Sequence, residues 1–483
     1  MNSKYKLIKK LLGLWLLLSI ASFTSCKKLV EISAPVTSVN GANVYLNDVT
    51  ATSVLTGLYT TMSRGGYNFT GNGSISMNLG LSADELTLFS GVSTSESKYY
   101  YYTNSLFAQP TNGAGSEYWA PLYQNIFICN AAIEGLNASV TLTPAVKEQL
   151  LGEATFMRAF FYFYLVNMFG DVPLLLNADY KRNATLPRTP ISQVYQQIIT
   201  DLNTAQGMLN DKFVDASVLK TTSERTRPNK WAATALLART FLYTGDWPNA
   251  ITEASSVINN SSLFTLTALD DAFLANSNEA IWQLQPVSSE HNTEDAWHFI
   301  LPSSGPDESD HPVYLSPQLL YSFEASDQRR AHWIDSVILN TDRYYYPFKY
   351  KSATSYAPLT EYLMVFRLAE QYLIRAEAEA QKGDIQAAQN DLNIVRHRAG
   401  LANTTAADKS SLLAAILHER QVELFSEWGH RWLDLKRTNN VDAVMTFVCS
   451  QKNSSQWKNF QKLFPLPFKD INADINLAQN SGY

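Results

Sequence analysis

Aromatic side chains with polar neighbours are concentrated in two stretches that we predict to be loops or short strands. The first is residues 98–102 (KYYYY), followed by Asn104, and the second is the proline-rich segment 261–359. Aromatic rings can stack on the apolar C–H faces of a sugar while polar side chains bind its hydroxyl groups. The candidate ligand-binding residues are Tyr99, Tyr100, Tyr101, Tyr102, Asn104, Trp297, Phe299, Tyr314 and Tyr356, with Tyr344, Tyr345, Tyr346, Glu294 and Asp295 as neighbouring candidates.

The tyrosine run is not expected to offer all four rings to a ligand. On a strand, successive side chains point to opposite faces, so Tyr99 and Tyr101 would share one face and Tyr100 and Tyr102 the other. We therefore expect at least two of these tyrosines to pack inside the protein or at its edge.

Motifs for the common catalytic chemistries are absent from the sequence. It contains no HExxH, GxSxG, P-loop or GxGxxG pattern, and the glycines at 71 and 73 lie in a polar stretch that predicts a flexible loop. The carboxylates have no defined acid–base partner in sequence. We therefore predict no catalytic residue and a protein that is not an enzyme.

Two clusters in the long loop segment could in principle bind a metal ion. His291, His298 and His311 could meet, but their flanks lack metal-ligand spacing, so we expect exposed polar roles for them. An acidic group at 307, 308 and 310 offers the oxygen ligands that Ca²⁺ takes, although a solvated loop is favoured. We predict no cofactor and no metal site, with a structural Ca²⁺ as the alternative.

The amino-terminal residues follow the order of a secretory signal. Four lysines in the first ten residues precede the apolar run 11–20, which is too short to span a bilayer because a helix needs ~20 apolar residues. The small residues before Cys26 resemble a bacterial lipoprotein cleavage site. We predict a signal peptide over 1–25, lipidation of Cys26, for example with palmitate, and a tether over 26–48; the alternative is an ordinary signal with an incidental cysteine.

Charge and cysteine content exclude some partners and leave one question open. The formal net charge is −6, and removing residues 1–25 makes it more negative. Without a basic stripe, nucleic acid is not an expected partner. Cys129 and Cys449 remain after lipidation of Cys26, and the sequence leaves open whether they pair or stay as thiols.

Apolar residues at helical spacing predict an all-α body. Capping residues support the bounds, for example Thr143 and Pro144 at the start of one helix and Gly170 after its end. The predicted helices are 49–62, 117–136, 144–168, 191–209, 229–243, 248–259, 361–382, 385–399 and 409–428. We expect long loops with a few short strands or helices over 261–359, with 280–284 as a β-like run, and an irregular carboxyl terminus.

Two of these helical hairpins resemble each other. Each has a small-residue helix, a Gly-Asp pair and a second helix, and the alanines coincide when the Gly-Asp pairs are aligned. Small residues let two helices approach closely, which is typical of tetratricopeptide-like pairs; two unrelated hairpins are the alternative. The matching positions are Ala238 with Ala376, Gly245 with Gly383, Asp246 with Asp384, and Ala250 with Ala388.

Several segments, in chain order, resemble hallmarks of the SusD/RagB family of nutrient-binding outer-membrane lipoproteins of Bacteroidetes. Because these segments follow one another across almost the whole mature chain, the chain is identified as a member. The segments are 81–85 (LSADE), 152–173 (GEATFMRAFFYFYLVNMFGDVP), 367–379 (RLAEQYLIRAEAE), 395–401 (VRHRAGL), 419–437 (ERQVELFSEWGHRWLDLKR) and 479–483 (QNSGY).

The charged residues of segment 419–437 also have a structural interpretation. They interleave with large apolar residues, Glu419 is four residues from Glu423, and Arg431 is close to Asp434. Partly buried Arg–carboxylate pairs of this kind can link helices to loops with fixed geometry. We predict a structural role for them.

The resemblance implies a fold, a function and partners. It implies stacked tetratricopeptide-like helical pairs with long irregular loops, divided into an amino-terminal helical part (49–265) and a loop-rich carboxyl-terminal part (266–483). It implies capture of an oligosaccharide at the outer membrane, facing the cell exterior, and delivery to a SusC-like TonB-dependent β-barrel. Family glycan binders use aromatic residues from the two stretches named above. Peptide binding, a polymer-degrading enzyme and a scaffold without a small ligand are the alternatives.

Overall fold

The computed structural model describes residues 43–64, 69–110, 113–452 and 456–483. The predicted signal peptide, Cys26 and most of the predicted tether lie outside these residues. The described residues form 18 helices and three two-stranded antiparallel sheets. This helix-rich architecture confirms the predicted all-α fold class. No helix in the described residues is long and apolar enough to cross a membrane.

The helices and strands follow one another along the chain as follows. The helices are α1 Asp48–Ser63, α2 Ile75–Ser82, α3 Ser97–Tyr102, α4 Trp119–Ala138, α5 Pro144–Phe169, α6 Tyr180–Asn183, α7 Ile191–Met208, α8 Lys230–Thr244, α9 Trp247–Ile258, α10 Glu294–Phe299, α11 Pro317–Ser322, α12 Gln328–His332, α13 Leu368–Lys382, α14 Ile385–Arg398, α15 Lys409–Leu424, α16 His430–Arg437, α17 Val441–Gln451 and α18 Phe468–Ala473. The strands are β1 Leu86–Leu88, β2 Ala280–Leu284, β3 Val313–Leu315, β4 Ile334–Leu339, β5 Asp342–Pro347 and β6 Leu363–Arg367, paired as β1–β3, β2–β6 and β4–β5.

The long helices form one continuous stack that contains both predicted hairpins. Helix α5 packs against α4 and α7, α8 packs between α7 and α9, and α13 packs against α9, α14 and α15. The hairpins α8–α9 and α13–α14 are therefore neighbours, joined through the contact of α9 with α13. Each hairpin covers its apolar face with the next, which is the stacking expected of tetratricopeptide-like pairs.

The two hairpins turn in the same way. Gly245 and Gly383 adopt left-handed backbone conformations, with φ of 76° and 89°, which glycine tolerates best. The aspartates that follow, Asp246 and Asp384, accept a hydrogen bond from a backbone N–H in the first turn of the next helix. The small residues at the aligned positions are fully buried: Ala238, Ala250, Ala376 and Ala388.

Helix α5 forms the centre of the hydrophobic core. It begins at Pro144, ends before Gly170, and is buried over most of residues 149–169. The Thr143 side chain does not cap it; its hydroxyl donates instead to Asp48 Oδ2 at 2.6 Å. Segment 152–173 is therefore mainly a core element.

One hydrophobic core contains residues from both predicted parts of the chain, from Ala51 to Leu466. The predicted division at 265/266 stays a prediction. Cys129 and Cys449 are buried thiols that form no disulfide with each other, and burial raises the pKa of the Cys129 thiol.

Four segments differ from the predicted secondary structure. Residues 98–102 lie in helix α3 instead of a strand, and residues 363–367, predicted as helix, form strand β6 against β2. Helix α15 ends at Leu424 rather than at 428, and helix α17 lies in a region predicted as irregular. A short apolar run fits a strand or a helix equally well, and its partner in the fold decides between them.

A buried cluster of ion pairs connects the carboxyl-terminal helices to the loop segment. Arg329 lies 2.8 Å from Glu423 on α15. Arg367, at the end of β6, lies 2.7 Å from Glu427 and 2.9 Å from Glu279. The side chains of this buried ion cluster are at most 8% exposed; its members are Glu279, Arg329, Lys349, Arg367, Arg398, Glu419, Glu423 and Glu427.

The arginines of the buried ion cluster keep its carboxylates ionised. Burial alone would raise the pKa of Glu423, but Arg398, Arg367 and Arg329 hold it well below its usual value. Removing one partner from such a cluster leaves an uncompensated buried charge, which costs about 3–5 kcal/mol. The predicted structural role of segment 419–437 agrees with this geometry.

The two acidic residues just before β1 differ in their charge state: Asp84 forms an ion pair, whereas Glu85 is buried with a raised pKa. Arg431 forms its ion pair with Asp84 at 2.7 Å, whereas Asp434, its neighbour in sequence, pairs with Arg420 and Arg437. Glu85 is 1% exposed, and burial, together with the nearby Asp84, raises its pKa to about 8. Glu85 is therefore largely protonated at neutral pH.

Candidate functional site

Strands β1 and β3 bring the two predicted aromatic stretches together. They pair antiparallel with Thr87 opposite Tyr314, and helix α3 packs beside β1. The residues on either side of Thr87 and Tyr314 within these strands are buried, so these two side chains lie on the outer face. The tyrosines of α3 and the aromatic residues of the long loop segment thus come to the same region.

Three half-buried tyrosines meet there and are called the tyrosine group: Tyr102, Tyr314 and Tyr344. Tyr314 and Tyr344 pack edge to face with ring centroids 5.1 Å apart. Burial raises the pKa of Tyr314 to about 12, and the neighbouring Tyr102 and Tyr344 add to the effect. The ammonium of Lys452 lies 5.0 Å from the centre of the Tyr102 ring. Each ring is therefore held on one side and reaches solvent on another.

A second cluster, the Trp297 group, consists of His291, Trp297 and His311. The imidazole of His291 stacks on the indole, with 4.2 Å between ring centroids and 14° between planes. The His311 ring lies 5.8 Å from the same indole at 51°. His311 is three residues before Tyr314, so the segment that leads into β3 carries one member of each group. The predicted exposed polar roles of His291 and His311 are wrong, since both rings pack against Trp297.

Carboxylates fix the two outer histidines of the Trp297 group. Glu294 lies 3.4 Å from His291 Nδ1, and Asp307 lies 2.7 Å from His311 Nδ1. His298 points elsewhere: its Nδ1 lies 2.7 Å from the carbonyl oxygen of Asp310, and burial lowers its pKa.

A glycine turn locks the helix that carries Trp297. The backbone N–H of Gly71 donates to the buried Asp295 at 2.8 Å, and Asn72 Nδ2 donates to the Ser309 carbonyl at 2.6 Å. A side chain at Gly71 would lie 2.8 Å from the His298 ring. Residues 71–73 form a loop, as predicted, and hydrogen bonds to two other segments hold it in place. Burial raises the pKa of Asp295 to about 7.

Tyr356 extends the aromatic surface beside His291. It is 71% exposed and adopts a left-handed backbone conformation, with φ of 61°. Its backbone N–H donates to the Glu290 carbonyl at 2.8 Å and its hydroxyl donates to Glu290 Oε1 at 3.2 Å. The tyrosine group, the Trp297 group and Tyr356 are together called the loop aromatic face.

Three predicted ligand-binding residues are buried. Tyr101 donates its hydroxyl to Glu117 Oε2 at 2.7 Å, Asn104 Nδ2 donates to the Ser82 carbonyl at 3.0 Å, and Phe299 is 3% exposed in the core. Their packing corrects the prediction, because they present no surface to a ligand unless the local fold opens.

Further aromatic side chains are half-buried or exposed. Tyr99 and Tyr100 are half-buried, and Tyr100 packs edge to face on Phe107 at 4.7 Å. Tyr321, which sequence reasoning missed, is 87% exposed at the end of α11. No sequence pattern distinguished Tyr321 from a buried helical tyrosine. Contact of ligand with the exposed and half-buried candidates stays a prediction.

The acidic group at 307–310 is organised by hydrogen bonds. Asp307 Oδ1 accepts hydrogen bonds from the backbone N–H groups of Ser309 and Asp310. Burial alone would raise the pKa of Asp307, but the hydrogen bond with His311 and these backbone hydrogen bonds lower it. In the part of the chain that the structure describes, no three His, Cys, Asp or Glu side chains are grouped to hold a metal ion. The expected lack of a cofactor stays a prediction.

A cavity of about 780 Å³ lies in the helical stack and not among the aromatic loops. Helices α8, α13, α15 and α16 line it. Its charged residues Glu377, Arg431 and Arg437 are already engaged in ion pairs. None of the residues that line this cavity belongs to the loop aromatic face.

Two family models match the chain in succession. The model of the SusD family matches residues 308–483, and a model described as "Starch-binding associating with outer membrane" matches residues 78–242. The SusD-like protein P2 of Formosa agariphila is 27% identical over 445 residues, covering 77% of this chain and 81% of that protein.

Solved structures share the fold. A SusD homolog from Bacteroides thetaiotaomicron has a TM-score of 0.77 at 20% identity, covering 92% of this chain and 99% of that chain. A laminarin-binding SusD-like protein has a TM-score of 0.72 at 24% identity, covering 90% and 100%. With these matches and the two family models, which together cover more than half of the sequence, the chain belongs to the SusD/RagB family.

Proposed function

We propose that this protein binds glycans at the outer membrane and delivers them to a SusC-like TonB-dependent β-barrel. The observation that carries glycan binding is the presence of two partly exposed aromatic clusters, the tyrosine group and the Trp297 group, which share the segment that leads into β3, together with the exposed Tyr356. The family model whose description names starch binding and the outer membrane supports the same function.

The loop aromatic face has the chemistry that sugar binding needs. Its rings are held by packing, so little conformational entropy is lost when a sugar stacks on them. Hydrogen-bond acceptors lie beside the rings, such as Glu290 next to Tyr356 and Glu294 next to His291. Because His291 covers one face of the Trp297 indole, a sugar would either stack on the imidazole or displace it.

The proposal includes a lipid anchor, a position and a partner. Lipidation of Cys26 would hold the protein to the outer membrane, facing the cell exterior, and stable attachment takes more than one acyl chain. The helical stack would dock on the barrel, since stacked helices present extended surfaces. No catalytic step is proposed for this chain.

Native affinity electrophoresis tests glycan binding. The mature protein is run in gels that contain one polysaccharide each, covering α-glucans, β-glucans, mannans, xylans and pectins. We expect at least one polysaccharide to retard the protein. Lack of retardation by every polysaccharide, together with binding of short peptides, would overturn the proposal. Release of products by the pure protein would indicate an enzyme instead.

Purification from native membranes tests the partner. We expect a TonB-dependent barrel to co-purify with this protein in mild detergent. Repeated purification of this protein alone, under conditions that keep other outer-membrane complexes intact, would contradict the proposed delivery step.

A further inference from the structure

We infer that the loop aromatic face selects glycans that carry no carboxylate or sulfate groups. The inference rests on the proposed glycan binding and adds the charge class of the ligand. The sequence between Arg239 and Arg329 contains 13 Asp and Glu residues and no Lys or Arg. This segment supplies the whole Trp297 group and Tyr314.

Carboxylates lie next to the rings of the loop aromatic face. Glu290 accepts from the Tyr356 hydroxyl, and Glu294 and Asp307 face the two histidines that pack on Trp297. Asp342 is close enough to Tyr314 to help raise its pKa, after burial and the neighbouring tyrosines. Two further exposed acidic residues lie in the same loop as His311: Glu308 and Asp310.

The nearby cations are engaged elsewhere or face an acid. Lys452 is 4% exposed and donates to the Leu81 carbonyl at 2.6 Å. Arg343, on β5, donates to Ser336 Oγ at 2.9 Å. Lys98 precedes the tyrosines of α3; burial lowers its pKa, and Glu96 opposes that shift. The two lysines offer no guanidinium group for a carboxylate or sulfate. The guanidinium groups of Arg330 and Arg343 lie 5.6 Å and 6.0 Å from the centre of the Tyr345 ring, which is not part of the loop aromatic face.

Sugar hydroxyls suit this surface better than anionic groups do. Hydroxyls can donate hydrogen bonds to Glu290, Glu294 and their neighbours, and bonds to charged acceptors are stronger than neutral ones. An anionic sugar would bring a like charge close to several carboxylates. At physiological ionic strength the screening length is about 8 Å, so charges in direct contact still repel each other.

Matched derivatives of one polysaccharide test the inference. The probes are laminarin, dextran and amylose, each compared with its carboxymethyl ether and with its hydroxyethyl ether, which adds similar bulk without charge. For each backbone that binds, we expect the carboxymethyl ether to bind at least about tenfold more weakly than the hydroxyethyl ether. Raising NaCl from about 20 mM to about 500 mM should narrow the difference.

Charge variants make the test specific to this surface. In E308Q/D310N, the ratio of carboxymethyl to hydroxyethyl binding should rise by about threefold or more, because like-charge repulsion is reduced. The control E148Q/D211N removes two exposed acids that lie outside the segment 240–328 and should leave the ratio unchanged.

The outcomes separate the inference from the proposed function. Equal or tighter binding of the carboxymethyl ether overturns the inference and leaves glycan binding intact. An equal rise of the carboxymethyl-to-hydroxyethyl binding ratio in E308Q/D310N and E148Q/D211N also overturns the inference. The net charge of the protein, and not this surface, would then cause the discrimination. Absence of binding to every neutral glycan here and in the wider polysaccharide panel overturns the proposed function and, with it, the inference.

Discussion

Carboxylates lie in two contrasting settings in this protein, the helical stack and the loop aromatic face. In the stack they face arginines: Glu423 lies 2.8 Å from Arg329, and Glu370 lies 2.6 Å from Arg239 on α8. On the loop aromatic face they lie beside histidines and tyrosine hydroxyls, as Glu290 does beside Tyr356.

The difference separates residues that hold the fold from residues that can meet a ligand. A buried carboxylate that pairs with arginine has its acceptor atoms occupied within the fold, and removing it destabilises the protein. A partly exposed carboxylate beside an aromatic ring contributes little to stability but still accepts hydrogen bonds. Variants in the two regions should therefore affect different measurements.

The largest expected effect is on stability, from Arg367→Met. This change leaves Glu279, Glu423 and Glu427 without their shared cation, so the free energy of unfolding should fall by about 3–5 kcal/mol. Urea unfolding followed by circular dichroism measures this free energy. A variant that yields no folded protein on expression would also agree with a large loss of stability.

The matched control for Arg367→Met is Arg343→Met on the exposed part of β5. It should change the free energy of unfolding by less than about 0.5 kcal/mol. Equal losses in the two variants would contradict the structural role of the buried ion cluster.

The largest expected effect on binding comes from Trp297→Ala. Removing the indole takes away the centre of the Trp297 group, so glycan affinity should fall at least about tenfold, which is ~1.4 kcal/mol. Affinity electrophoresis measures it, with circular dichroism to verify the fold. Tyr180→Ala, at a tyrosine on α6 that is 70% exposed, should keep the wild-type affinity; similar losses in both would contradict a localised site.

Glu85→Gln tests a carboxyl that is buried just before β1 without facing an arginine at hydrogen-bond distance; among the described residues its Oε1 has no hydrogen-bond partner. Its folded pKa of about 8 lies above the unfolded value, so the wild type loses stability as pH rises from about 4.5 to 8. The glutamine variant lacks this loss.

Thermal unfolding across that pH range measures the Glu85 effect. At pH 8 the variant should be more stable than the wild type by about 1 kcal/mol or more, and the difference should vanish near pH 4.5. A difference that does not change with pH would show that Glu85 is ionised in the folded protein.

The smallest expected effect comes from Tyr356→Ala. The ring is 71% exposed and at the edge of the face, so its loss should weaken glycan binding about threefold, or ~0.7 kcal/mol, and leave the melting temperature unchanged. Isothermal titration calorimetry resolves this difference. A loss as large as that of Trp297→Ala would move the centre of the site to Tyr356.

The sequence predicted the stack well because its signals are local. The Gly-Asp turns at 245–246 and 383–384 and the alanines around them mark each hairpin within a few residues. The contact of α9 with α13, which joins the hairpins, follows from the need of each pair to cover its apolar face.

The candidate site was predicted by region but not by residue. Its key contacts join positions far apart in sequence, such as Thr87 with Tyr314 and Gly71 with Asp295. Aromatic type alone cannot show that Phe299 enters the core while Trp297, two residues earlier on α10, stacks with His291.

Hydrogen exchange with and without bound glycan tests whether the glycan binds to the loop aromatic face. The ligand is the polysaccharide that retards the protein most strongly, cut to soluble oligosaccharides. We expect slower exchange in 97–102, 290–299, 311–314 and 342–356, with little change in the helices around the 780 Å³ cavity. Protection confined to α8, α13, α15 and α16 would contradict this expectation and place the ligand in the helical stack.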